Sequence, residues 1–480
     1  LLSTLIIPFS LINWLLMAWK NPIDQFWTCS VEPTLFLLYF LVQLGMGLPW
    51  TALSLFFVKT LHLTYEQMNS YYAIVYIPWS FKLVFGYISD SLPIFKHKRV
   101  PYFVFYSVLV CIAFCLYGFI VSDYKSALIL GVILNTCQCG AQLMIDTLVV
   151  ERVHKETEDE GRGQSLAMAS KTAGTVAATI LSLILMLPAI NCHFRIVFCL
   201  AGIPYLIAGV IAVMKVEDRV VTQMSFKDTF VEGVRLIFCG QRSNSALSKN
   251  RPLFPLLFFL FLRSMMPSAT TNIYGFLANV DVENWQYNTL NISTSVFSLI
   301  ASLVYSRYLV GKKLSYVILG TTVAACVTGI LQIYFVTGLF EGITLFWVSI
   351  VLMDINAFAS QLAFTPMLVM AARSCPVGYE SSMWSIYFSL NDLAGTVSGI
   401  FSTKLTTYYH ISYSDYSNLY KMVVTCSLTT LIPLVYLFFI RDYFSIVSSM
   451  SDTTAQVRGE LSLLKNDDLE MAKQSRVYVN

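Results

Sequence analysis

The stretch from residue 101 to residue 121, PYFVFYSVLVCIAFCLYGFIV, runs for 21 residues without a single charged side chain. An α-helix rises 1.5 Å per residue, so about 20 apolar residues are enough to cross the hydrocarbon core of a bilayer. The stretch shows no strict apolar–polar alternation, which a strand of a membrane β-barrel would need. It therefore predicts a transmembrane helix.

The same pattern occurs throughout the chain. With ends defined to within a few residues, twelve apolar runs can be marked: 35–58, 67–85, 101–121, 126–150, 164–187, 194–214, 253–279, 287–310, 314–338, 342–370, 381–404 and 418–440. The sequence therefore predicts an all-α polytopic membrane protein with 12 transmembrane helices.

The overall composition agrees with a membrane protein. Of the 480 residues, 56% are hydrophobic and only 12% are charged, whereas soluble domains carry about 25% charged residues. This composition excludes a soluble enzyme and a disordered protein, and a net charge of +3 is too small to indicate a nucleic-acid partner. Most of the eleven Cys lie inside apolar runs, so we expect neither a disulfide framework nor a metal site, and no cofactor.

The distribution of basic residues predicts the topology. Positive residues favour cytoplasmic loops. If both termini are cytoplasmic, most of the 31 Lys and Arg fall on that side of the membrane. The opposite side then receives only five: Lys59, Lys125, Arg195, Lys404 and Lys421.

The chain divides at its longest internal connection. The predicted parts are an N-terminal segment with a possible interfacial helix, a six-helix half, a cytoplasmic loop, a second six-helix half and a mobile cytoplasmic tail: 1–33, 34–214, 215–252, 253–440 and 441–480. A constant offset of 221 residues aligns Arg152 with Arg373, Lys171 with Asp392 and Ala173–Thr175 with Ala394–Thr396. Two pseudo-symmetric parallel halves are typical of the major-facilitator fold.

The loop between the second and third predicted helices contains opposite charges. Gly86 allows close backbone approach, Asp90 supplies an anion, and a basic cluster ending at Arg99 follows. These residues can form a charge latch that breaks as the halves move, or simply a solvated loop. Lys82 lies on the same helix face, one turn before Gly86. It can act as a gate through an ion pair, or extend to the membrane surface.

Two cations lie deep inside predicted helices, Lys171 and Arg263. A charge at this depth normally faces a cavity or a partner, so each contacts an anionic substrate or neutralises a protein carboxylate. The candidate carboxylates are Asp146, Asp354 and Asp392. Since all five His fall at helix ends or in loops, these three are also the candidate proton-coupling groups.

Two motifs together resemble the signature of the folate–biopterin transporter family, a branch of the major facilitators. The first is Ile77–Ile94 (IPWSFKLVFGYISDSLPI) followed by Lys98–Tyr102 (KRVPY). The second is Ala372–Glu380 (ARSCPVGYE), which leads into the helix that contains Asn391. The resemblance extends from about residue 35 to residue 440.

The resemblance implies a secondary active transporter that moves folate or a pterin by alternating access, with proton coupling, and not an enzyme. We expect a monomer in the lipid bilayer, at the plasma membrane rather than at an organelle. The family also includes carriers of other solutes such as S-adenosylmethionine, so that substrate remains an alternative. A non-transporting membrane sensor is a third possibility.

The resemblance also suggests roles for individual residues. Glu151, Arg152, Arg373 and Glu380 match family positions at the cytoplasmic gate. Lys171 and Arg263 would hold the ligand's carboxylates. Aromatic rings, that of Trp50 among them, would stack on the pterin or belong to the interfacial belts. The remaining substrate-binding candidates are Trp79, Tyr274, Trp384 and Asn391.

Overall fold

The computed structural model describes most of the chain. The described residues are 32–63, 65–153, 160–185, 193–216, 231, 234–235, 237–239, 253–279, 284–337, 339–373, 375, 380–412 and 415–439. Most of the predicted N-terminal segment 1–33, most of the connecting loop 215–252 and the whole predicted tail 441–480 lie outside the described residues.

The described residues are mainly helical. The first nine helices are α1 Pro33–Gly47, α2 Trp50–Lys59, α3 Tyr65–Val75, α4 Ile77–Ser80, α5 Lys82–Ser91, α6 Val100–Ile120, α7 Tyr124–Val153, α8 Glu160–Leu185 and α9 Phe194–Lys215. The next nine are α10 Phe254–Ser264, α11 Thr270–Asn279, α12 Asn284–Val304, α13 Leu314–Leu331, α14 Ile333–Val336, α15 Gly342–Arg373, α16 Glu380–Tyr408, α17 Leu419–Thr429 and α18 Ile432–Phe439. A π-helical turn, Tyr305–Leu309, extends α12.

Eight helical stretches among the described residues are long and apolar enough to cross a membrane. The predicted all-α polytopic fold is therefore confirmed. The other predicted spans fall on interrupted helices or on α16, which is long but carries many polar residues. The count of twelve spans stays a prediction.

Five runs that the hydropathy pattern predicts to be continuous are interrupted, two of them, 314–338 and 418–440, between α13 and α14 and between α17 and α18. Run 35–58 breaks between α1 and α2, run 67–85 breaks at both ends of α4, and run 253–279 breaks between α10 and α11. Pro49, Pro78 and Pro267 lie at or beside the breaks in these last three runs. Proline lacks a backbone donor and clashes with the preceding turn, which explains the interruptions there.

The helices pack in pairs that repeat between the two parts of the chain. The contact of α1 with α8 has its counterpart in α10 with α16, and the contact of α6 with α9 has its counterpart in α13 with α17. The two parts meet where α5 packs on α16 and where α8 packs on α12 and α15. Gly174 in α8 permits one close approach, since a Cβ there would lie 2.5 Å from the Phe40 carbonyl oxygen of α1.

The outer surface is apolar, as a bilayer requires. Along α9, exposed side chains recur at helical spacing on one face, namely Ile196, Ile203, Ile207, Val210 and Val213. The opposite face of α9 is buried against α6 and α1. An exposed apolar face of this length is stable in lipid rather than in water.

Candidate functional site

A fully buried arginine organises one end of the bundle. Arg99 lies at the start of α6 and donates to Asp90 Oδ1 at 2.6 Å and to Glu151 Oε1 at 2.8 Å. It also donates to Ser89 Oγ at 2.7 Å. Arg99 and Asp90 are both 0% exposed, so these bonds are shielded from water and are of the strong, charge-assisted kind.

Asp90 connects this cluster to the other half of the chain. Its second carboxylate oxygen, Oδ2, accepts from the Ser382 backbone N–H at 2.7 Å and from the Ser382 hydroxyl at 2.5 Å. We call Asp90, Arg99, Glu151 and Ser382 the latch. The latch holds α5, α6 and α7 against the first turn of α16.

The latch is stabilised by charge as well as by hydrogen bonds. Burial lowers the pKa of Arg99, but the negative charges of Asp90 and Glu151 outweigh it and hold that pKa above its usual value. Glu380, which is also buried, adds to this effect. Arg99 therefore stays cationic at every physiological pH, and loss of its proton cannot open the latch.

Two further predicted gate residues are Arg152 and Arg373. Arg152 lies 3.3 Å from Glu32 Oε1, just before α1. This ion pair ties the end of α7 to the start of the first helix. Arg373 ends α15, but its side chain lies outside the described residues.

The helices α5 and α16 approach each other closely at Gly86. A Cβ at this position would lie 2.2 Å from Ser385 Oγ and 2.7 Å from the Ser381 carbonyl oxygen. Ser89 donates to Ser381 Oγ at 3.1 Å one turn further on. Only glycine fits at position 86 while the two helices are in this contact.

A second ion pair joins the halves deeper in the bundle. Lys82 Nζ lies 3.0 Å from Asp392 Oδ2. The ammonium group also lies 4.8 Å from the centre of the Trp79 ring and 5.0 Å from that of Phe388, within cation–π range. Lys82 is buried, so it pairs inside the protein rather than extending to the surface.

Lys171 and Asp146 lie near this pair. Lys171 interacts electrostatically with Asp146, Lys82 and Asp392. Asp146 Oδ1 accepts from the Tyr39 hydroxyl at 2.7 Å and from the amide of Gln142, one turn away, at 2.8 Å. The structure thus brings two lysines and two aspartates together between the halves.

Asp354 is in a different environment. It is buried in α15 and accepts a hydrogen bond at Oδ2 from Ser293 of α12, whereas its Oδ1 has no hydrogen-bond partner. Within the described residues, no cation lies within 4.0 Å of this carboxylate. Of the three proton-coupling candidates, Asp354 has the fewest compensating partners.

Arg263 lies in the last turn of α10 and faces a polar cavity of about 320 Å³. Its guanidinium donates to Thr322 Oγ1 at 3.3 Å. No carboxylate of the described residues lies within 4.0 Å of it. Hydroxyl and amide groups from several helices line the same cavity, including Ser264, Ser268, Asn356, Gln332 and Thr430.

The predicted aromatic candidates have different surroundings. Trp79 is half-buried and donates to Asn135 Oδ1 at 3.1 Å. The Tyr274 hydroxyl donates to an amide oxygen of α12 at 3.3 Å. Trp384 is 2% exposed and packs on Phe388, with ring centres 4.9 Å apart, so it is a core residue here.

The remaining binding candidate, Asn391, lies beside Arg263. Its side-chain oxygen accepts from Ser264 Oγ at 2.7 Å, and both residues line a small apolar cavity with Arg263. This contact connects α16 to the end of α10.

The serines of α16 are candidate site residues that the sequence analysis missed. Ser382 binds Asp90, and Ser389 accepts from the Leu83 backbone N–H at 3.2 Å. Ser385, between them, faces Gly86. Their spacing of three and four residues places them on one helix face, and small polar residues in such a stripe favour helix–helix contact in membranes.

Solved structures with the same fold are transporters. A bacterial homologue of the iron transporter ferroportin, in an outward-facing state, aligns with a TM-score of 0.62 at 14% identity, covering 87% of this chain and 99% of its own. A proton:xylose symporter of the major facilitator superfamily aligns with a TM-score of 0.59 at 13% identity, covering 84% and 94%. At these identities the likeness shows the major-facilitator fold alone.

Sequence comparison defines the family. The BT1 family model matches residues 44–460. A folate-biopterin transporter from Synechocystis sp. is 28% identical over 83% of this chain and 79% of the relative. Folate transporter 1 of Plasmodium falciparum is 25% identical over 80% and 74%. This chain therefore belongs to the BT1 family, and it is a multi-pass membrane transporter rather than an enzyme.

Proposed function

We propose that this chain is a secondary active transporter that moves folate or a pterin across a membrane by alternating access, as a monomer. The names of its relatives support the substrate class. The observation that carries the proposal is Arg263, a half-buried cation on a polar cavity with no protein carboxylate within 4.0 Å among the described residues.

The chemistry of Arg263 suits one end of a folate. The carboxylates of its glutamate tail are ionised at neutral pH, because such groups titrate near pH 4. A guanidinium offers a planar fork that binds a carboxylate through two parallel hydrogen bonds. A buried charge is costly without a partner, so an anionic ligand would remove that cost. Lys171 is the second cation proposed to attract the ligand.

Alternating access needs two halves that separate and rejoin. The proposed halves are 34–214 and 253–440. At the latch, Ser382 donates two short hydrogen bonds to Asp90, and Gly86 closely approaches α16. We propose that the latch lies on the cytoplasmic side, with both termini, and that it opens when the cavity closes. The basic residues predict this orientation at the plasma membrane.

Asp354 is the proposed proton carrier. Asp392 faces Lys82, and Asp146 accepts two hydrogen bonds beside Lys171. Asp354 accepts a hydrogen bond from the Ser293 hydroxyl at one carboxylate oxygen, and its other oxygen has no hydrogen-bond partner. An ionised carboxylate with so little compensation is costly inside a membrane protein, which favours exchange of a proton during the cycle.

Uptake by the purified protein in proteoliposomes tests the proposal. We would measure radiolabelled folic acid, biopterin and S-adenosylmethionine, with and without an inward-acid pH gradient. We expect gradient-stimulated uptake of folic acid or biopterin. If only S-adenosylmethionine is taken up, the proposed substrate class is wrong. If the rate of uptake is the same with and without the pH gradient, the proposed proton coupling is wrong.

Substitution of Arg263 tests whether this residue binds the substrate. Arg263→Ala should reduce folic acid uptake at least tenfold while the protein still inserts and remains monodisperse in detergent. Arg195→Ala is the matched control, because Arg195 is also half-buried but lies at the start of α9. Equal uptake by the Arg263 variant and the control would contradict the role of Arg263.

A further inference from the structure

The N-terminal half contains a second cavity, lined by aromatic rings. It has a volume of about 60 Å³ and lies next to the break between α1 and α2. Trp50, Tyr72 and Tyr76 form one wall, and Asn135 and Gln138 supply amide groups on another. The cavity therefore combines flat apolar faces with groups that both donate and accept hydrogen bonds.

Three of these rings form a near-parallel column. The centres of the Trp50 and Tyr72 rings are 5.9 Å apart with an interplanar angle of 29°. The centres of Tyr72 and Tyr76 are 6.4 Å apart with an angle of 20°. Most other aromatic contacts in this half are edge-on or tilted, so the column is a distinct feature. Offset stacking of this kind is also how a protein binds a flat heterocycle.

The cavity lies where two helices are interrupted. Pro49, at the α1–α2 break, and Tyr76, at the α3–α4 break, both line it. Irregular backbone at membrane depth is tolerated where it is buried in protein or lines a cavity, and interrupted helices are where transporters bind their substrates. The cavity of Arg263 has the same placement in the other half, at the break between α10 and α11.

We propose that the aromatic cavity is a subsite for a planar heteroaromatic ring, and that the anionic end of the same ligand binds at Arg263. The ring stacks on Tyr72, and its polar edge meets the amides of Asn135 and Gln138. This inference rests on the proposed function, and it deepens it by dividing one ligand between two cavities of opposite character.

Trp50 controls entry to this subsite. At about 60 Å³ the cavity holds about two water molecules, so a bicyclic ring enters only if a wall moves. Trp50 is 55% exposed and follows Pro49 directly. The ring therefore takes the place of the indole against Tyr72, while the α1–α2 break allows Trp50 to move outward.

Direct contacts connect the two cavities. Asn135 accepts from Trp79, and the Trp79 ring lies under the Lys82 ammonium. The same ammonium lies over the ring of Phe388, which lines the small cavity beside Arg263. A ligand held at both ends would thus contact both halves around the Lys82–Asp392 pair.

Equilibrium binding to the whole 480-residue chain in detergent tests whether one ligand is divided between the two cavities. The probes are tritiated biopterin, which has the ring but no carboxylate, and p-aminobenzoylglutamate, which has the carboxylates but no pterin. Tyr72→Leu should weaken biopterin binding about three- to tenfold, the value of one aromatic pair, and leave p-aminobenzoylglutamate binding unchanged. Tyr72→Phe should retain biopterin binding, because the ring and not the hydroxyl is required.

The converse variant and a surface control complete the test. Arg263→Gln should weaken the binding of p-aminobenzoylglutamate and leave the binding of biopterin unchanged. The surface control is Tyr334→Leu, because Tyr334 in α14 is 56% exposed. This variant should bind both probes as the unchanged protein does. If wild-type protein takes up folic acid but Tyr72→Leu binds biopterin normally, the ring subsite is wrong and the proposed function stands. If wild-type protein binds neither probe and takes up neither folic acid nor biopterin, both proposals fail.

Discussion

The ion pairs Arg99–Asp90 and Lys82–Asp392 differ in how well water reaches them. Arg99 and Asp90 have no exposed side-chain surface, and Asp90 is further held by Ser382. In the pair of Lys82 and Asp392, the lysine side chain is 8% exposed and the aspartate 27%. The two members of the second pair should therefore respond differently to loss of the partner.

Asp392→Asn should destabilise the protein more than Lys82→Met. The first change leaves a buried ammonium without its counterion, which costs about 3 kcal/mol. The second leaves a carboxylate that water already reaches in part, which costs about 1 kcal/mol. Thermal unfolding in detergent, followed by light scattering, gives the order of the two transition temperatures.

Asp415→Asn provides the control for that comparison, because Asp415 lies in an exposed loop. Its transition temperature should equal that of the unchanged protein. If Lys82→Met lowered the transition temperature more than Asp392→Asn, the stabilising contribution of the pair would belong to the lysine's contacts with Trp79 and Phe388 instead.

Among the helices, the contact between α5 and α16 is the proposed closure of the latch end. Gly86 sets the distance between the two helices, and Ser381, Ser382 and Ser385 complete the contact. Cys375 lies just before α16 and is buried. Burial, together with the charges of Glu380 and Asp90, raises the pKa of its thiol. Both its burial and its protonation slow its reaction with alkylating agents while the latch is closed.

Gly86→Ala should keep the latch end open. The added methyl group would collide with Ser385 and with the backbone oxygen of Ser381, and the backbone cannot move aside while α16 remains in place. With Cys375 as the sole remaining cysteine, its alkylation at pH 8 should become at least tenfold faster. Opening exposes the thiol and lowers its pKa, so both effects act in the same direction.

Gly399→Ala is the matched control in α16, where an added Cβ meets nothing within 4 Å. Its labelling rate should equal that of the protein with glycine at both positions. An unchanged rate in Gly86→Ala would mean that the contact between α5 and α16 does not close this end.

Helix interruptions show what the sequence could and could not predict at this scale. The apolar runs predicted the helices, because hydropathy over 20 residues is a strong signal. Pro49, Pro78 and Pro267 lie at or beside three of the breaks, yet Pro204 and Pro366 lie inside the unbroken helices α9 and α15. Whether a proline breaks a membrane helix depends on neighbouring groups that satisfy the freed backbone, and these come from distant parts of the chain.

In the whole molecule, contacts between residues that are close in sequence could be predicted, whereas contacts between distant residues could not. Asp90 and Arg99 are nine positions apart and were predicted to form one cluster. Lys82 and Asp392 are 310 positions apart. Both were candidates, but for different roles, and only the packing of α5 on α16 joins them. The cavity around Arg263 could not be predicted from the sequence either, because the residues that line it come from several separate helices.

The proposed coupling of substrate movement to protons involves the whole molecule. If Asp354 carries the proton, Asp354→Asn should abolish the stimulation of uptake by an inward-acid gradient. Asparagine keeps the size and the hydrogen bond to Ser293 but stays neutral throughout the cycle. Exchange of external for internal substrate needs no net proton movement, so it should continue at a rate within about threefold of the unchanged protein, as liposomes loaded with unlabelled folic acid would reveal.

Asp123→Asn is the control for this measurement. Hydrogen bonds from Ser126 hold the pKa of Asp123 below its usual value, and the residue is exposed outside the membrane spans, so it stays ionised at the pH values used and should carry no coupling proton. Gradient-stimulated uptake that persists in Asp354→Asn would exclude Asp354 and transfer the role to Asp146 or Asp392. Loss of exchange together with stimulation would instead place Asp354 in substrate binding, because a neutral side chain at a pure coupling site still permits both halves to rock with substrate bound.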